Sequence, residues 1–359
     1  MEKILLTSLR ADHGGGPQHV NSLVENLLID FEIFVACPND EPYYAMWKKT
    51  QRVKKIFILP HRKFRLKKLL ELNKFIKEND IKIVHSHGKG AGIYARLLKI
   101  INWHLKIVHT LHGVHVEQYG FLKRNLYITI EKLLSLFTDK FINVSSGEQQ
   151  LCLNYGIFAK KKSCVIYNGI RQVIFDKYAK SSLNLTGKKV IATISRFDYQ
   201  KNMDLAYEIA KCFKDNTQLV FLWIGDGGDR ARLKAWAERD KVNIVFTGFT
   251  NKIPMYLSAS DIYLSTSRWE GLPYALIEAQ SLGLPIVATN VVGNNEVVQD
   301  KQDGFLFDDL REACKHIDLL LHDETTYENF SAAAKLNFKS KFDIKIMIDK
   351  IEEIYKELQ

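Results

Sequence analysis

Glu270 and Glu278 stand eight positions apart in Trp269-Glu270-Gly271-Leu272-Pro273-Tyr274-Ala275-Leu276-Ile277-Glu278-Ala279, directly after the run Tyr263-Leu264-Ser265-Thr266-Ser267. That run reads as a strand end, and Gly-Leu-Pro opens a helix with Pro273 near its first position, where a missing N–H removes no hydrogen bond. The helix start then projects from the carboxyl edge of a parallel sheet, where unpaired amides and the helix dipole favour phosphate. Glu270 falls just before the helix and Glu278 about one and a half turns inside it. Two acceptor carboxylates therefore flank a ligand laid over the helix start, one for each polyhydroxyl part of a sugar nucleotide. Near the amino terminus, Gly14, Gly15 and Gly16 in His13-Gly14-Gly15-Gly16-Pro17-Gln18-His19 let main chain approach a diphosphate without a Cβ in the way, although a tight turn explains them equally well. Six histidines (His85, His87, His104, His109, His112 and His115) crowd a short stretch, and metal binding or general-base work is the tempting reading. Their positions at strand ends and in loops favour structural roles for most of them.

Positioning such groups requires sheet edges. Short β-branched runs alternate with amphipathic stretches along the whole chain, the pattern of parallel sheets covered by helices on both faces. In the first half the strand candidates are 3–7, 32–36, 55–59, 82–85, 106–110, 140–144 and 164–167. A second series opens at Lys188, with 189–194, 218–224, 243–246, 261–264, 285–288 and 305–307. Between the series the Asn-Gly turn signal of Tyr167-Asn168-Gly169-Ile170 leads into a stretch without clear periodicity that ends at Gly187, which places a hinge there. The expected organisation is α/β with two doubly wound domains, 1–170 and 171–340. A terminal helix at 341–359 has an apolar face to bury, and it is expected to return to the first domain.

Composition bounds the rest. At 359 residues, with 46% hydrophobic and 26% charged, the chain is an ordinary globular protein long enough for two cores. Ile93 to Leu111, the most apolar region, is interrupted by Arg96, Lys99 and Lys106, so no membrane span is expected. Only three apolar residues, Ile4 to Leu6, follow Met1-Glu2-Lys3, too few for a signal-peptide core, and a cytoplasmic location is expected. The five cysteines are far apart and include no Cys-x-x-Cys pair. The net charge of +10 is uneven, since residues 1–170 hold 26 Lys and Arg against 14 Asp and Glu, and the remainder holds 25 against 27. Arg62 to Lys77 reads as a basic amphipathic helix with two competing uses. It either faces the core with a solvated basic side, or docks on anionic lipid or a lipid-diphosphate acceptor at the inner face of a membrane. No nucleic-acid module is recognisable, so no nucleic-acid partner is expected.

Taken together these segments resemble the retaining GT-B glycosyltransferases, and the chain is similar to glycosyltransferase family four nearly end to end. Glu270 and Glu278 form its Glu-x7-Glu signature. In order along the chain come the glycine-rich segment, then Val84-His85-Ser86-His87, His109-Thr110-Leu111-His112-Gly113, Val144-Ser145-Ser146-Gly147-Glu148 and Ile166-Tyr167-Asn168-Gly169-Ile170. In the second half Ser195-Arg196-Phe197, Gln200-Lys201-Asn202, Ile224-Gly225-Asp226-Gly227, Phe246-Thr247-Gly248-Phe249 and Asp303-Gly304-Phe305 follow. The resemblance implies two Rossmann-like domains facing a central cleft, the first binding acceptor and the second a nucleotide-diphosphate sugar. It assigns Arg196 and Lys201 to the donor diphosphate in place of a metal, with no cofactor required. Glu278 goes to the ribose hydroxyls, and Glu270 to the donor sugar. Gly15, Gly16, Gly248, Phe249, Gly271, Leu272 and Pro273 join the donor site, and His112 is the histidine that faces the donor sugar.

The reaction so implied is front-face substitution at the anomeric carbon with retention. A hexose or N-acetylhexosamine would pass from a UDP or GDP donor to a glycan or polyprenyl-diphosphate-linked acceptor, during assembly of bacterial O-antigen, capsule or exopolysaccharide. Glu270, His112, Arg196 and Lys201 would carry the catalysis. Rival readings are an epimerase or phosphorylase of the same fold and a non-catalytic sugar-nucleotide-binding subunit. A nicotinamide-dependent oxidoreductase is disfavoured, because Gly14-Gly15-Gly16-Pro17 is not Gly-x-Gly-x-x-Gly and no acidic residue ends the second strand before Pro38.

Overall fold

A computed structural model describes residues 1–114 and 119–359. His115, one of the six clustered histidines, lies outside the described residues. The chain divides into two compact units, one of Met1–Gly169 with Ile344–Gln359 and the other of Ile170–Asp343. Each is built on an all-parallel sheet.

The first unit contains β1 (Glu2–Ser8), β2 (Phe31–Cys37), β3 (Val53–Ile58), β4 (Ile83–His87), β5 (Lys106–Thr110), β6 (Lys140–Asn143) and β7 (Ser163–Val165), in the order β3-β2-β1-β4-β5-β6-β7. The order reverses beside β1, which pairs with β2 on one side and β4 on the other, so a crevice opens at the carboxyl ends of β1 and β4. Side chains alternate across the sheet as a pleated strand requires. Ile4 and Leu6 of β1 enter one core with Val20, Leu23 and Val35, whereas Leu5 enters the opposite core with Val84, Leu98 and Ile107.

The terminal helix Ile344–Glu357 closes the first of these cores with Met347, Ile348, Ile351, Ile354 and Tyr355. Its polar groups are as specific as its apolar ones. Glu352 accepts the Leu28 amide at 2.7 Å, and Tyr355 Oη lies 2.6 Å from His85 Nδ1. The segment read as a basic amphipathic helix is helical over Leu66–Glu78, and it buries Leu69, Leu72 and Ile76 against β1, β2 and β4. This helix faces the core with those three residues, while Leu66 and Leu70 lie exposed beside its lysines.

The second unit contains β8 (Lys189–Ile194), β9 (Leu219–Ile224), β10 (Ile244–Gly248), β11 (Ile262–Ser265), β12 (Ile286–Thr289) and β13 (Gly304–Phe307), ordered β10-β9-β8-β11-β12-β13. The reversal here falls at β8, whose carboxyl end lies beside that of β11. Both sheets therefore carry the GT-B arrangement of two parallel-sheet α/β units. The segment after Gly169 lies on the second unit, where the Val173 and Asp176 amides donate to Ser281 and Ser258 at 3.3 and 3.0 Å.

Replacing Tyr355 by Phe keeps the ring and removes the His85 partner, and should lower stability by about 1–2 kcal/mol. Ile351→Ala should lower it by about 2–5 kcal/mol. Urea unfolding followed by circular dichroism checks both, and a Tyr355→Phe variant as stable as the parent would refute the role given to that hydroxyl.

Candidate active site

In the second unit the loops that leave β8 and β11 are tied together by one carboxylate. Glu270 Oε1 accepts from Lys201 Nζ at 2.5 Å and from Ser267 Oγ at 2.6 Å. Around that pair, Thr266 Oγ1 donates to Lys201 O at 3.0 Å, Arg268 N to Gln200 O at 2.8 Å, and Gln200 Nε2 to Trp269 O at 3.0 Å. Glu270 is buried and Lys201 partly so, which makes the bond charge-assisted and poorly screened. Both signature carboxylates act on one hydroxyl: burial raises the Tyr263 pKa, and the charges of Glu278 and Glu270 push it further the same way. Glu278 follows in the helix Tyr274–Ser281 that this loop enters.

Arg196 is set out from this loop by its neighbours. Ser195 and Phe197 are buried on either side, and Phe197 packs edge-on to Trp223 and Phe246. The Phe197 amide donates to Asp226 O at 3.0 Å, and the Ser195 amide to Ile224 O at 2.9 Å. Gly225, at φ +131°, is required for this contact, because a Cβ there would stand 1.9 Å from Ser195 O. The guanidinium remains exposed, with Asp198 at 3.1 Å and Gln200 at 3.2 Å. Exposed pairs of this kind hold a cation weakly, so it stays available to an incoming anion. Gly248 accepts the Gly225 amide at 3.0 Å, and Phe249 projects beyond it into solvent.

The helix behind Glu270 spans Tyr274–Ser281, with Pro273 as its cap and Leu272 buried beneath. Its far end is anchored by Gln280, whose amide donates to Asp303 Oδ2 and to Val297 O, each at 2.9 Å. Asn337 donates to the same Asp303 oxygen at 2.7 Å, and the Gln299 amide to the other at 2.8 Å. Burial raises the Asp303 pKa to about 6 against these donors.

In the first unit, imidazoles from three separate elements meet at the β1/β4 edge. His85 and His87 lie two apart on β4, so they share a face, with rings 4.1 Å apart. His19 comes from the helix Gly15–Asn26 and stands 4.9 Å from His112 and 5.3 Å from His87. His87 Nδ1 and His112 Nε2 are 3.1 Å apart, a hydrogen bond in which one ring donates and the other accepts. Asn168 Oδ1 lies 3.1 Å from His19 Nδ1, and Thr110 Oγ1 lies 2.8 Å from His85 Nε2. Burial pushes His19 down to about 4. Burial also drives His85, His87 and His112 well below their usual range, with mutual repulsion adding to it. The group is therefore a neutral one at physiological pH. His109 is buried against Ser86, and His104 stacks on Trp103 at the surface, so neither joins it. Among the described residues no three side chains converge as metal ligands would.

Gly15 and Gly16 do not form a turn, as the sequence pattern suggests; they are the first two residues of the helix, and the turn ends at Gly14. A Cβ on Gly16 would touch His112 Cδ2 at 3.8 Å, so this helix start lies against the half-buried His112 ring.

Two family models cover most of the chain: residues 13–172 match that described as Glycosyltransferase Family 4, and residues 175–337 match Glycosyl transferases group 1. The chain belongs to glycosyltransferase family 4. It is 31% identical to an Escherichia coli UDP-Gal:alpha-D-GlcNAc-diphosphoundecaprenol alpha-1,3-galactosyltransferase over 81% of this chain and 79% of that protein. A Campylobacter jejuni N,N'-diacetylbacillosaminyl-diphospho-undecaprenol alpha-1,3-N-acetylgalactosaminyltransferase is 26% identical over 75% of each. The crystal structure of Anabaena HepE in complex with UDP and glucose superposes with a TM-score of 0.86 at 18% identity, over 99% of this chain and all of that one, a likeness of fold.

Within this glycosyltransferase, one residue that positions the site carries no role in the sequence reading. Glu148, buried, accepts the amides of Gly113 and of Val144, the latter at 2.9 Å, while its own amide donates to Ser145 Oγ at 3.1 Å. It thereby fixes the backbone beside His112, which sits at φ +59°, a conformation that non-glycine residues rarely adopt. The signal was present as Ser145-x-x-Glu148, a variant of the capping box in which the carboxylate reaches past its own helix. His19 lacked any such local signal.

Glu148→Ala should leave two buried amides unpaired and lower stability by about 2–4 kcal/mol, with turnover falling further than donor affinity. Glu148→Gln, which keeps one acceptor, should restore part of both. The depressed His19 pKa also gives a pH dependence of defined sign. Its neutral form is favoured in the fold, so its contribution is complete above the unfolded value near 6.5 and is lost as pH falls toward 4. Between pH 7.5 and 5 His19 alone should remove about 2 kcal/mol. The raised pKa of Asp303 acts in the opposite sense, so the measurement is the difference between the parent and His19→Gln at each pH. A parallel pair of stability curves would refute the assignment.

Proposed function

We propose that this chain is a retaining, metal-independent transferase that moves a hexose or N-acetylhexosamine from a UDP sugar to a lipid-diphosphate-linked glycan of a bacterial surface polysaccharide. The observation that carries it is the Lys201–Glu270–Ser267 cluster at the β8/β11 edge, with Glu278 in the helix that follows. UDP is drawn from the name of the E. coli relative, and the diphospho-undecaprenol acceptor from the names of the E. coli and C. jejuni relatives. The second unit takes the donor. An ammonium has three N–H donors, so Lys201 can hold Glu270 and a phosphate oxygen together, and the exposed Arg196 completes the diphosphate grip. Glu278 accepts from ribose hydroxyls and Glu270 from the sugar. Gly248 and Phe249 border the base, while Gly271 and Leu272 present backbone amides beside the helix start and Pro273, which has no N–H, caps it.

In the reaction the bond between the anomeric carbon and the diphosphate oxygen breaks, and the acceptor oxygen bonds to that carbon on the same face. The acceptor proton passes to the departing phosphate oxygen. Arg196, Lys201 and the helix-start amides stabilise the charge that grows there, the place where preorganised electrostatics contributes most. Neutral His112 serves as a polar partner to the sugar and not as a nucleophile.

Glu270→Ala and Lys201→Ala should each lower turnover by about a hundredfold or more. Arg196→Ala should weaken donor binding as well. Release of UDP from labelled UDP-galactose, UDP-N-acetylgalactosamine and GDP-mannose, with and without a diphospholipid-linked acceptor, provides the assay. Unchanged turnover in Glu270→Ala would sink the site. Nucleotide release that ignores acceptor would sink the transfer reading, and a rate abolished by EDTA would overturn metal independence.

A further inference from the structure

The helix Phe121–Ser135 of the first unit is packed the wrong way round for a globular protein. Its charged side is inside: Glu131, fully buried, pairs with the equally buried Arg96 at 2.6 Å, beside Ile128 and Tyr127. Its apolar side faces out. Leu122, Leu126, Leu133 and Leu136 are 82%, 63%, 59% and 70% exposed, and at 100° per residue they fall with Ile130 on a single stripe. Scattered exposed leucines need no explanation, but a continuous stripe does.

The borders of the stripe are basic. Lys123 lies on one flank and Lys132 on the other, both exposed. Beyond the carboxyl end of the helix comes the turn Lys160–Lys162, held there because Lys162 Nζ donates to Ser135 O at 3.2 Å and to Thr138 O at 2.9 Å. Lys160 and Lys161 of that turn are exposed. The one acidic residue of the helix, Glu131, is turned inward.

We propose that this stripe is the surface by which the first unit docks on an anionic lipid bilayer, with the helix lying in the plane of the headgroups. Its 15 residues span about 22 Å, and an apolar face bordered by lysines is what an interfacial helix presents. Each lysine beside the surface adds attraction to acidic headgroups. The same charges disfavour a second copy on this face, since a two-fold contact would set Lys123 and Lys132 against their own images with no acid between them. Docking is independent of the sugar-transfer reading, because the helix would bind a bilayer whether or not any sugar moved.

Sedimentation with vesicles of phosphatidylcholine alone, or mixed with an equal amount of phosphatidylglycerol, tests it on the full chain. The parent should bind the mixed vesicles, and added salt should release it. Leu126→Glu with Leu133→Glu should lower the partition coefficient about a hundredfold, without a change in thermal unfolding because both positions are exposed. Lys123→Gln with Lys132→Gln keeps the stripe, and should weaken binding to the mixed vesicles while leaving the small affinity for phosphatidylcholine unchanged. Lys67→Gln with Lys68→Gln, on the core-facing helix, should bind as the parent does. Transfer to a water-soluble acceptor should be unaltered in all three, so loss of docking and failure of the transfer reading are told apart. Equal binding by the leucine variant, dependence on Lys67 and Lys68 instead, or a dimer in sedimentation equilibrium that the leucine variant dissolves would each overturn the proposal.

Discussion

The pairing of Lys201 and Ser267 on a single oxygen of Glu270 fixes the second unit's site, because it joins loops that leave two neighbouring strands. A parallel sheet brings the carboxyl ends of β8 and β11 side by side, but it leaves the loops beyond them undirected. Removing Lys201 would leave the buried Glu270 charge with its desolvation uncompensated, which is a far larger penalty than the pair's net contribution. The pair therefore specifies geometry more than it adds stability. From it follows the placement of the helix that starts at Tyr274. The helix is held from its other end too, by the Gln280–Asp303–Asn337 group.

The first unit solves a related problem with neutral groups. Four clustered imidazoles cannot all be charged in a buried setting, so each stays neutral: His87 and His112 bond to each other, His19 to Asn168, and His85 to Thr110 and Tyr355. Neutral rings keep both a donor and an acceptor, whereas a cation would have donors alone. The dependence of His85 on Tyr355 also links the edge of this sheet to the last helix of the chain, 270 positions away.

Much of this was legible in advance, and the limits have physical causes. All thirteen strands of the described residues were visible, because a parallel sheet covered on both faces demands continuous apolar runs such as Val190 to Ile194 and Leu219 to Ile224. Glu270 and Glu278 were visible because Gly-Leu-Pro marks the helix start between them. The histidine group was only half visible, since His19 lies in a helix 66 positions before His85 and period and propensity carry no information on that scale. Gly15 and Gly16 were misplaced because three glycines in a row signal a turn, whereas Pro17 at the third helical position tolerates a helix that starts earlier. The direction in which an amphipathic helix points was not legible at all. Leu66–Glu78 and Phe121–Ser135 share a basic and apolar pattern, but the first turns Leu69, Leu72 and Ile76 to the core and leaves Leu66 and Leu70 exposed, whereas the second turns Leu122, Leu126 and Leu133 away.

That second orientation is enforced from the inside. Arg96 reaches back along its own helix, with Nε donating to Gly92 O at 2.8 Å, and its guanidinium then meets Glu131 with both terminal nitrogens. Position 92 must be glycine for this, because a Cβ there would lie 2.8 Å from Arg96 Nη2 and 2.5 Å from His109 Cε1. Glycine inside a helix costs about 1 kcal/mol relative to alanine, and a buried ion pair contributes little net stability over an apolar pair of the same volume. What the arrangement does secure is a single rotational setting, since any rotation that brought Leu126 and Leu133 to the core would leave Arg96 buried without its carboxylate. The polar contact thus acts as a register device, and the outward apolar stripe is the consequence of it.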